Sequence, residues 1–240
     1  MKCIILAAGY ATRLYPLTEN FPKPLLEVGS KPILDWLIDD VGDAVDEFIV
    51  VSNHKFADIF SEWMKGRSER RAERIRIIDD GTESNETRLG AVKDIQLAVE
   101  DGVDYLVMAG DNMLDFSLRG FIEYQKSVGT SCVMAHPEDR LEALQKTAVI
   151  TTTEDGLITS YEEKPVSPKG NLAVPPFYIY RSMDIVRIQE AIDSGCNADA
   201  PGSFAAWLSE KTDMHAYVMP GKRYDIGDIK SYEHVKEIFK

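Results

Sequence analysis

Residues near the amino terminus have the types and spacing of a phosphate-binding loop. Arg13 and Lys23 supply positive charge. The small residues around Arg13 would let a ligand approach backbone N–H groups; they are Ala7, Ala8, Gly9 and Ala11. An arginine can also make paired hydrogen bonds to phosphate oxygens. The segment favours polyphosphate binding, while an ordinary turn with two solvated cations stays open as the alternative.

Two aspartates far apart in the sequence could hold a metal ion. Asp111 follows the apolar residues 104–110, and Asp225 lies within residues 223–228. Magnesium in proteins is commonly held by one or two carboxylates together with substrate phosphates. Taken alone, Asp111 is also typical of a turn or a helix cap. Asp228 is a weaker candidate, because it could cap the last predicted helix.

Alternating strands and helices should position these residues. Apolar runs predict buried strands, and apolar residues three and four apart predict amphipathic helices. The predicted strands are residues 3–8, 47–52, 74–78 and 104–110, and the predicted helices are residues 32–41, 54–65 and 89–99. This order predicts a parallel, doubly wound sheet, in which ligands gather at the carboxyl ends of the strands. The phosphate loop and Asp111 are therefore expected at the same edge.

The regular alternation ends in the second half of the chain. A hairpin is predicted there, with strands 147–153 and 157–162 joined by the turn Glu154-Asp155-Gly156. Prolines then crowd residues 165–176, which predicts a loop system able to cover a substrate pocket. The other predicted elements are strands 130–136, 177–180 and 215–219 and helices 116–127, 183–194, 203–211 and 229–239.

The length and the charge of the chain limit the possible classes of protein. The chain has 240 residues, of which 44% are hydrophobic, enough for one α/β domain over residues 1–240. A net charge of −13 argues against nucleic acid or an anionic membrane as the principal partner. The three cysteines, Cys3, Cys132 and Cys196, are widely separated and suggest neither a disulfide framework nor a zinc site. We expect a soluble, cytoplasmic protein without a signal peptide or membrane span.

Three separated blocks agree in order and spacing with a known enzyme family. They read Leu6-Ala7-Ala8-Gly9-x-x-Thr12-Arg13-Leu14-x-Pro16-Leu17-Thr18, Pro22-Lys23-Pro24-Leu25 and Lys31-Pro32-Ile33. In these blocks the chain closely resembles the sugar-1-phosphate nucleotidyltransferases. The family usually has glycine where this chain has Ala11. If that position requires a positive φ, alanine is strained there by about 1 kcal/mol or more.

The resemblance implies a fold and a set of site residues. The fold is a three-layer α/β/α arrangement with a mostly parallel, doubly wound, Rossmann-like sheet and a small β insertion covering the substrate pocket. Gly110-Asp111-Asn112 and Tyr224-Asp225-Ile226-Gly227 resemble blocks whose aspartates hold Mg²⁺ in the family. Glu163-Lys164-Pro165 resembles the block whose glutamate meets sugar hydroxyls and whose lysine meets the sugar phosphate. The implied nucleotide-binding residues are Leu6, Ala7, Ala8, Gly9, Thr12, Arg13, Lys23, Asn85 and Gly90.

The implied reaction joins a nucleoside triphosphate to a sugar 1-phosphate, releasing pyrophosphate and an NDP-sugar. Arg13, Lys23 and Asp111 would be catalytic, Glu163 and Lys164 would bind the acceptor, and Asp111 and Asp225 would hold Mg²⁺. Two alternatives stay open: a cytidylyltransferase acting on phosphocholine or another non-sugar phosphate, and a catalytically silent nucleotide-sugar sensor. A dinucleotide-dependent oxidoreductase is disfavoured, because Gly9-x-Ala11 does not complete G-x-G-x-x-G. The nucleobase, the acceptor and the oligomeric state are left open.

Overall fold

The computed structural model describes all 240 residues and divides them into two compact units. Unit 1 comprises Met1–Leu89, Ala109–Arg119 and Gly221–Lys240, and unit 2 comprises Gly90–Met108 and Gly120–Pro220. None of the helices has the length and hydropathy that crossing a bilayer requires. The single catalytic domain expected over residues 1–240 stays a prediction.

The elements follow one another in a largely alternating order. The strands are β1 (Lys2–Leu6), β2 (Glu27–Val28), β3 (Lys31–Pro32), β4 (Phe48–Ser52), β5 (Ile75–Asp79), β6 (Tyr105–Ala109), β7 (Asn112–Leu114), β8 (Ser131–Pro137), β9 (Ala148–Thr152), β10 (Ile158–Glu163), β11 (Leu172–Val174), β12 (Phe177–Tyr180), β13 (Met214–Val218) and β14 (Arg223–Asp225). The α-helices are α1 (Ile33–Val41), α2 (His54–Lys65), α3 (Glu69–Ala72), α4 (Ala91–Ala98), α5 (Arg119–Val128), α6 (Leu141–Leu144), α7 (Ser182–Ile185), α8 (Ile188–Asp193), α9 (Gly202–Ser209) and α10 (Ile229–Ile238).

Unit 1 contains the predicted parallel β-α-β arrangement. Strand β1 pairs with β4 and β4 pairs with β5, both in parallel, with Phe48 opposite Cys3 on one side and Ile75 on the other. Every residue of β4 is buried, as the continuous apolar run predicts for a central parallel strand. Helix α2 has the predicted bounds, and the side chain of Asn53 caps it by accepting a hydrogen bond from the Phe56 N–H.

A two-stranded ladder brings distant segments of unit 1 together. Strands β7 and β14 are antiparallel, with Asp225 opposite Asn112. They lie beside a cluster of buried apolar residues that includes Leu14, Met113 and Ile226. The ladder therefore joins the segment after β6 to the segment before α10. Both strands have only three residues, too few for a hydrophobic period to be visible in the sequence.

Unit 2 is built mainly from antiparallel pairs. The predicted hairpin is confirmed as β9 and β10. Strands β11 and β12 both pair with β8 and are separated by Pro175 and Pro176. Proline has no N–H to donate to a ladder, so the double proline explains this interruption. Strand β13 is parallel to β8. These pairings complete the mixed α/β fold that alternation alone had predicted only for the first half.

One predicted helix is divided in the structure. Residues 183–194 were expected as a single helix, whereas α7 and α8 are separate. Arg187 leaves helical geometry at ψ 3°. The first turn is also anchored on its own, because the Asp184 carboxylate accepts a hydrogen bond from Ser131 Oγ at 2.6 Å. This tertiary contact has no periodic signature in the sequence.

Candidate active site

The loop after β1 starts from backbone that the neighbouring strand holds. Leu6 is the last residue of β1, and the Ala7 N–H donates to the Val51 carbonyl at 2.9 Å. The Ala8 carbonyl accepts from Asn53 Nδ2 at 2.9 Å. Gly9 is exposed and has open space where a side chain would point. A ligand can therefore reach the backbone at Gly9, as the run of small residues predicted.

Ala11 has the left-handed conformation that the family glycine would favour. Its φ is 47° and its ψ 42°, and a short 3₁₀ turn over Thr12–Leu14 follows it. Thr18 Oγ1 donates to the Ala11 carbonyl at 2.8 Å, and the Leu14 N–H donates to the same carbonyl at 2.9 Å. These bonds offset the strain expected for alanine at positive φ. The loop thus keeps this geometry without glycine.

Lys23 and Asp111 form an ion pair. Lys23 Nζ lies 2.6 Å from Asp111 Oδ2, and Lys23 is only 8% exposed. Gly110 permits the close packing beside the pair, because an added Cβ would lie 3.1 Å from Ile5 Cγ2 and 3.3 Å from Pro24 Cγ. The expectation that the phosphate loop and Asp111 share one edge is confirmed.

Asn112 and Arg223 connect the two candidate metal carboxylates. Asn112 Nδ2 donates to Asp111 Oδ1 at 2.7 Å, and Arg223 Nη1 donates to Asn112 Oδ1 at 2.6 Å. Arg223 Nη1 also lies 3.8 Å from Asp225 Oδ1. Sequence reasoning missed both residues. Their positions, one after Asp111 and two before Asp225, were the available signal.

The surroundings of Asp225 disfavour the ionised form of its carboxylate. Its side chain remains 51% exposed. Partial burial, and then the nearby charge of Asp111, raise its pKa above the ordinary value, against the opposing effect of Arg223 and other cations. Two carboxylates that repel each other in a site open on one side are suited to share a cation.

Arg13 lies beside Asp225. A Cβ added at Gly227 would lie 3.6 Å from Asp225 Oδ2 and 3.8 Å from Arg13 Nη1, so both side chains line the space above Gly227. Arg13, Lys23, Asp111 and Asp225 therefore gather in one part of unit 1. Asp228 instead caps α10 through a reciprocal capping box with Ser231.

The donor set fits magnesium better than a transition metal. No group of three or more His, Cys, Asp or Glu side chains is arranged to hold a metal ion, as a structural zinc site would require. Magnesium needs fewer protein ligands, because it keeps waters and takes substrate phosphates. Asp111 and Asp225 satisfy that requirement.

The segment around Asn85 forms a polar turn of unit 1. Asn85 is exposed, and its carbonyl accepts a hydrogen bond from Arg88 Nη1 at 2.8 Å. Tyr10 joins this segment to the phosphate loop, since its hydroxyl donates to the Thr82 carbonyl at 2.9 Å. No pattern in the sequence indicates this link.

Gly90, in unit 2, has a structural requirement of its own. Its φ is 92°, and an added Cβ would lie 2.5 Å from the Ala198 carbonyl oxygen. The Val92 N–H donates to the same carbonyl at 2.9 Å. Glycine at this position is therefore required by backbone packing, whatever ligand it contacts.

In unit 2, Glu163 is the last residue of strand β10 and Lys164 follows it. Lys164 has a φ of 48° and, with Ala11, is one of two non-glycine residues at positive φ. Glu163 Oε2 is buried without a hydrogen-bond partner, and burial raises the pKa of this carboxyl. Backbone strain and an unsatisfied buried acceptor are both typical of ligand sites.

Two further groups surround the Glu163 carboxylate. A Cβ added at Gly202 would lie 2.6 Å from Glu163 Oε2, 3.2 Å from Tyr161 Oη and 3.4 Å from Tyr178 Oη. The Tyr161 hydroxyl is also buried and interacts with the hydroxyl of Tyr178. Gly202 begins α9 and keeps this polar cluster open. Sequence reasoning missed Tyr161 and Gly202, and it placed Tyr178 in the core or at its rim.

The sequence of the chain matches a known protein family. Residues 2–239 match the family model described as nucleotidyl transferase. The chain belongs to the nucleotidyl transferase family. The prediction that the protein is a nucleotidyltransferase is thereby confirmed.

Several characterised relatives of this nucleotidyltransferase differ in their nucleotide. It is 28% identical to the UTP–glucose-1-phosphate uridylyltransferase AglF of Haloferax volcanii, over 95% of this chain and 91% of that protein. It is 26% identical to the glucose-1-phosphate adenylyltransferase of Fervidobacterium nodosum, over 95% of this chain and 59% of that protein. It is also 26% identical to the mannose-1-phosphate guanyltransferase beta-A of Xenopus laevis, over 97% of this chain and 62% of that protein.

Solved structures share the fold of this nucleotidyltransferase. An apo UDP-glucose pyrophosphorylase matches with a TM-score of 0.84 at 21% sequence identity, covering 99% of this chain and 97% of that one. A UDP-glucose pyrophosphorylase complexed with UDP-glucose matches with a TM-score of 0.81 at 22% identity and the same coverage. The predicted Rossmann-like α/β fold is confirmed.

Proposed function

We propose that this nucleotidyltransferase forms an NDP-sugar and pyrophosphate from a nucleoside triphosphate and a sugar 1-phosphate. The observation that carries the proposal is the convergence of Arg13, Lys23, Asp111 and Asp225 in unit 1, since two cations and two carboxylates are what a triphosphate with its metal requires. The names of the relatives, which act on hexose 1-phosphates, support the same reaction.

The reaction is an in-line displacement at the α-phosphorus. An oxygen of the acceptor phosphate forms the new bond as the bond to pyrophosphate breaks. A phosphomonoester is already a competent nucleophile, so no general base is needed and the barrier falls through positioning and charge neutralisation. This agrees with a site that offers cations and metal-binding carboxylates and has no histidine among its four central residues.

Each of the four residues has a distinct role in this proposal. Arg13 holds the triphosphate and opposes the charge that develops on the leaving pyrophosphate. Asp111 and Asp225 would hold Mg²⁺, which would neutralise phosphate charge and orient the triphosphate. Lys23 pairs with Asp111. Its ammonium would meet the α-phosphate of the bound triphosphate.

The polar cluster of unit 2 favours a sugar acceptor. Glu163 Oε2 is buried and unsatisfied, so a hydroxyl group of a sugar would supply the missing hydrogen bond. Lys164 would hold the acceptor phosphate. A phosphocholine acceptor would instead call for an open aromatic cage.

The nearby aromatic residues do not form such a cage. Phe177, Tyr178 and Tyr180 are at most 2% exposed. The rings of Tyr178 and Tyr180 stack at 5.7 Å, and Tyr180 packs on Phe204 at 5.0 Å. Their faces are used for packing, so these residues do not support choline recognition.

A catalytically silent sensor is disfavoured, because such a protein would tend to lose an aspartate or the arginine, and all four central residues are in place.

The cytoplasm is the compartment we propose, since the three cysteines are free thiols.

A substrate matrix tests the proposal. Uridine, guanosine, adenosine, cytidine and thymidine triphosphates would be combined with glucose 1-phosphate, mannose 1-phosphate, another hexose 1-phosphate or phosphocholine, and pyrophosphate release would be followed. We expect Mg²⁺-dependent release with at least one hexose 1-phosphate. Faster release with phosphocholine than with every hexose 1-phosphate would overturn the sugar assignment. Asp225→Asn serves as the inactive control.

A further inference from the structure

Arg223 occupies a position between the two candidate metal carboxylates. It lies on β14, two residues before Asp225, and its side chain is 22% exposed. Its Nη1 donates to Asn112 Oδ1 at 2.6 Å and lies 3.8 Å from Asp225 Oδ1. One guanidinium nitrogen thus reaches the amide on one side and the carboxylate on the other.

Asn112 passes this contact on to Asp111. The Asn112 side chain is fully buried, and its Nδ2 donates to Asp111 Oδ1 at 2.7 Å. A guanidinium can only donate hydrogen bonds and an ionised carboxylate can only accept them. The orientation of the Asn112 amide is therefore determined by its two neighbours, and loss of Arg223 would remove the partner that fixes it.

The strand pairing limits how these groups can move. Asp225 lies opposite Asn112 in the β7–β14 ladder, and the Ile226 N–H donates to the Asp111 carbonyl at 3.3 Å. The backbone therefore brings the carboxylates close, although their charges repel. Side-chain contacts must then fix the orientation of the two carboxylates against this repulsion.

We propose that Arg223 is a positioning residue that holds Asp111, through Asn112, and Asp225 in the arrangement that binds the divalent cation. This inference rests on the proposed function. Arg223 acts on the carboxylates and not on the substrate, so its loss weakens metal binding before any nucleotide is added. A mere competing positive charge would have the opposite effect, because its removal would strengthen binding of a divalent cation.

Direct titration with Mn²⁺ distinguishes these two roles. Free Mn²⁺ would be measured by electron paramagnetic resonance during titration of the full chain, without nucleotide. For Arg223→Gln we expect a Kd at least about 5-fold higher than for the unmodified protein, in line with the loss of an outer partner of a metal ligand. An unchanged or lower Kd would overturn the proposal, as would absence of Mn²⁺ binding by the unmodified protein.

Four further variants make the test more specific: Arg223→Lys, Arg140→Gln, Asn112→Ser and the combination of Asn112→Ser with Arg223→Gln. Arg223→Lys keeps the charge without the planar guanidinium group, and its Kd should lie between those of the unmodified protein and Arg223→Gln. A Kd for Arg223→Lys that is higher than that of the unmodified protein also supports the proposal if Arg223→Gln folds poorly. Arg140→Gln is the matched control, because Arg140 is 80% exposed and pairs with Glu138 in unit 2, and its Kd should equal that of the unmodified protein. Combining Arg223→Gln with Asn112→Ser should weaken binding by less than the product of the separate effects. Full multiplicativity would exclude action through Asn112.

The outcome is separable from that of the proposed function. Pyrophosphate release by the unmodified protein tests the reaction, whereas the Mn²⁺ titration compares variants without substrate. Release of pyrophosphate together with an unchanged Kd for Arg223→Gln would overturn only the role of Arg223.

Discussion

Asp111 and Asp225 differ in what their loss would cost the fold. Asp111 neutralises the almost buried Lys23, so its removal leaves a cation without its partner. Asp225 is half exposed, and its closest cation is 3.8 Å away. The two candidate metal ligands should therefore be equally important for activity and unequally important for stability.

Substitution of each aspartate tests this difference. Asp225→Asn should lower kcat at least about 100-fold at saturating Mg²⁺, since a metal ligand loses its charge. Its melting temperature at neutral pH should be no lower than that of the parent, because the pKa of Asp225 is raised in the folded protein. Asp111→Asn should lower kcat similarly and also destabilise the protein, by less than about 3 kcal/mol because Asp111 is partly exposed. Steady-state kinetics and thermal melts measure both. A kcat within tenfold of the parent for Asp225→Asn would exclude it as a metal ligand.

Glu163 should oppose stability while serving the acceptor. Burial raises its pKa, so the folded protein binds this proton more tightly than the unfolded chain does, and stability falls as the pH rises through the window between the two pKa values. Above that window, Glu163→Gln should melt at a higher temperature than the parent. The difference should shrink as the pH falls through the raised pKa.

The same variant should bind acceptor less well. Its KM for the sugar 1-phosphate should rise while the KM for the triphosphate stays the same. Melting curves across pH, together with both KM values, check this prediction. A less stable variant at neutral pH would show that the carboxylate has a stabilising partner.

At the scale of single elements, the start of α9 controls space around the Glu163 carboxylate. Gly202→Ala would place a methyl group 2.6 Å from Glu163 Oε2, so the carboxylate must shift. We expect a several-fold higher acceptor KM with little change in the KM for the triphosphate. Gly66→Ala is the matched control, because its nearest neighbour would be 3.6 Å away. Equal kinetics for the two variants would remove Gly202 from the acceptor site.

At the start of α10, Asp228 has a structural role, unlike the nearby candidate metal ligand Asp225. Asp228 caps the helix by accepting from the Ser231 N–H at 2.8 Å. Asp228→Ala should therefore cost about 1 kcal/mol of stability and leave kcat within twofold. Denaturant unfolding and initial rates measure the two effects. A loss of activity comparable with that of Asp225→Asn would place Asp228 among the metal ligands.

At the scale of the whole molecule, elements with a clear apolar pattern were predictable and the two three-residue strands of the β7–β14 ladder were not. Helix α2 and strand β12 matched their predicted bounds, because their apolar pattern follows from the local backbone period. Strands β7 and β14 have no such pattern, yet they position Asn112 and Arg223. Motifs thus predicted Arg13, Lys23, Asp111 and Asp225 as candidate site residues, whereas Asn112 and Arg223, which contact the two aspartates, depend on tertiary pairing.

The fate of the α-phosphorus tests the proposed reaction most directly. The protein would be incubated with Mg²⁺, a hexose 1-phosphate and a nucleoside triphosphate labelled at the α-phosphorus, and the products separated. In-line attack at that atom predicts that all transferred label appears in the NDP-sugar, with one unlabelled pyrophosphate released for each molecule formed. Labelled nucleoside diphosphate together with transfer of the γ-phosphoryl group, or turnover that does not depend on the acceptor, would contradict it.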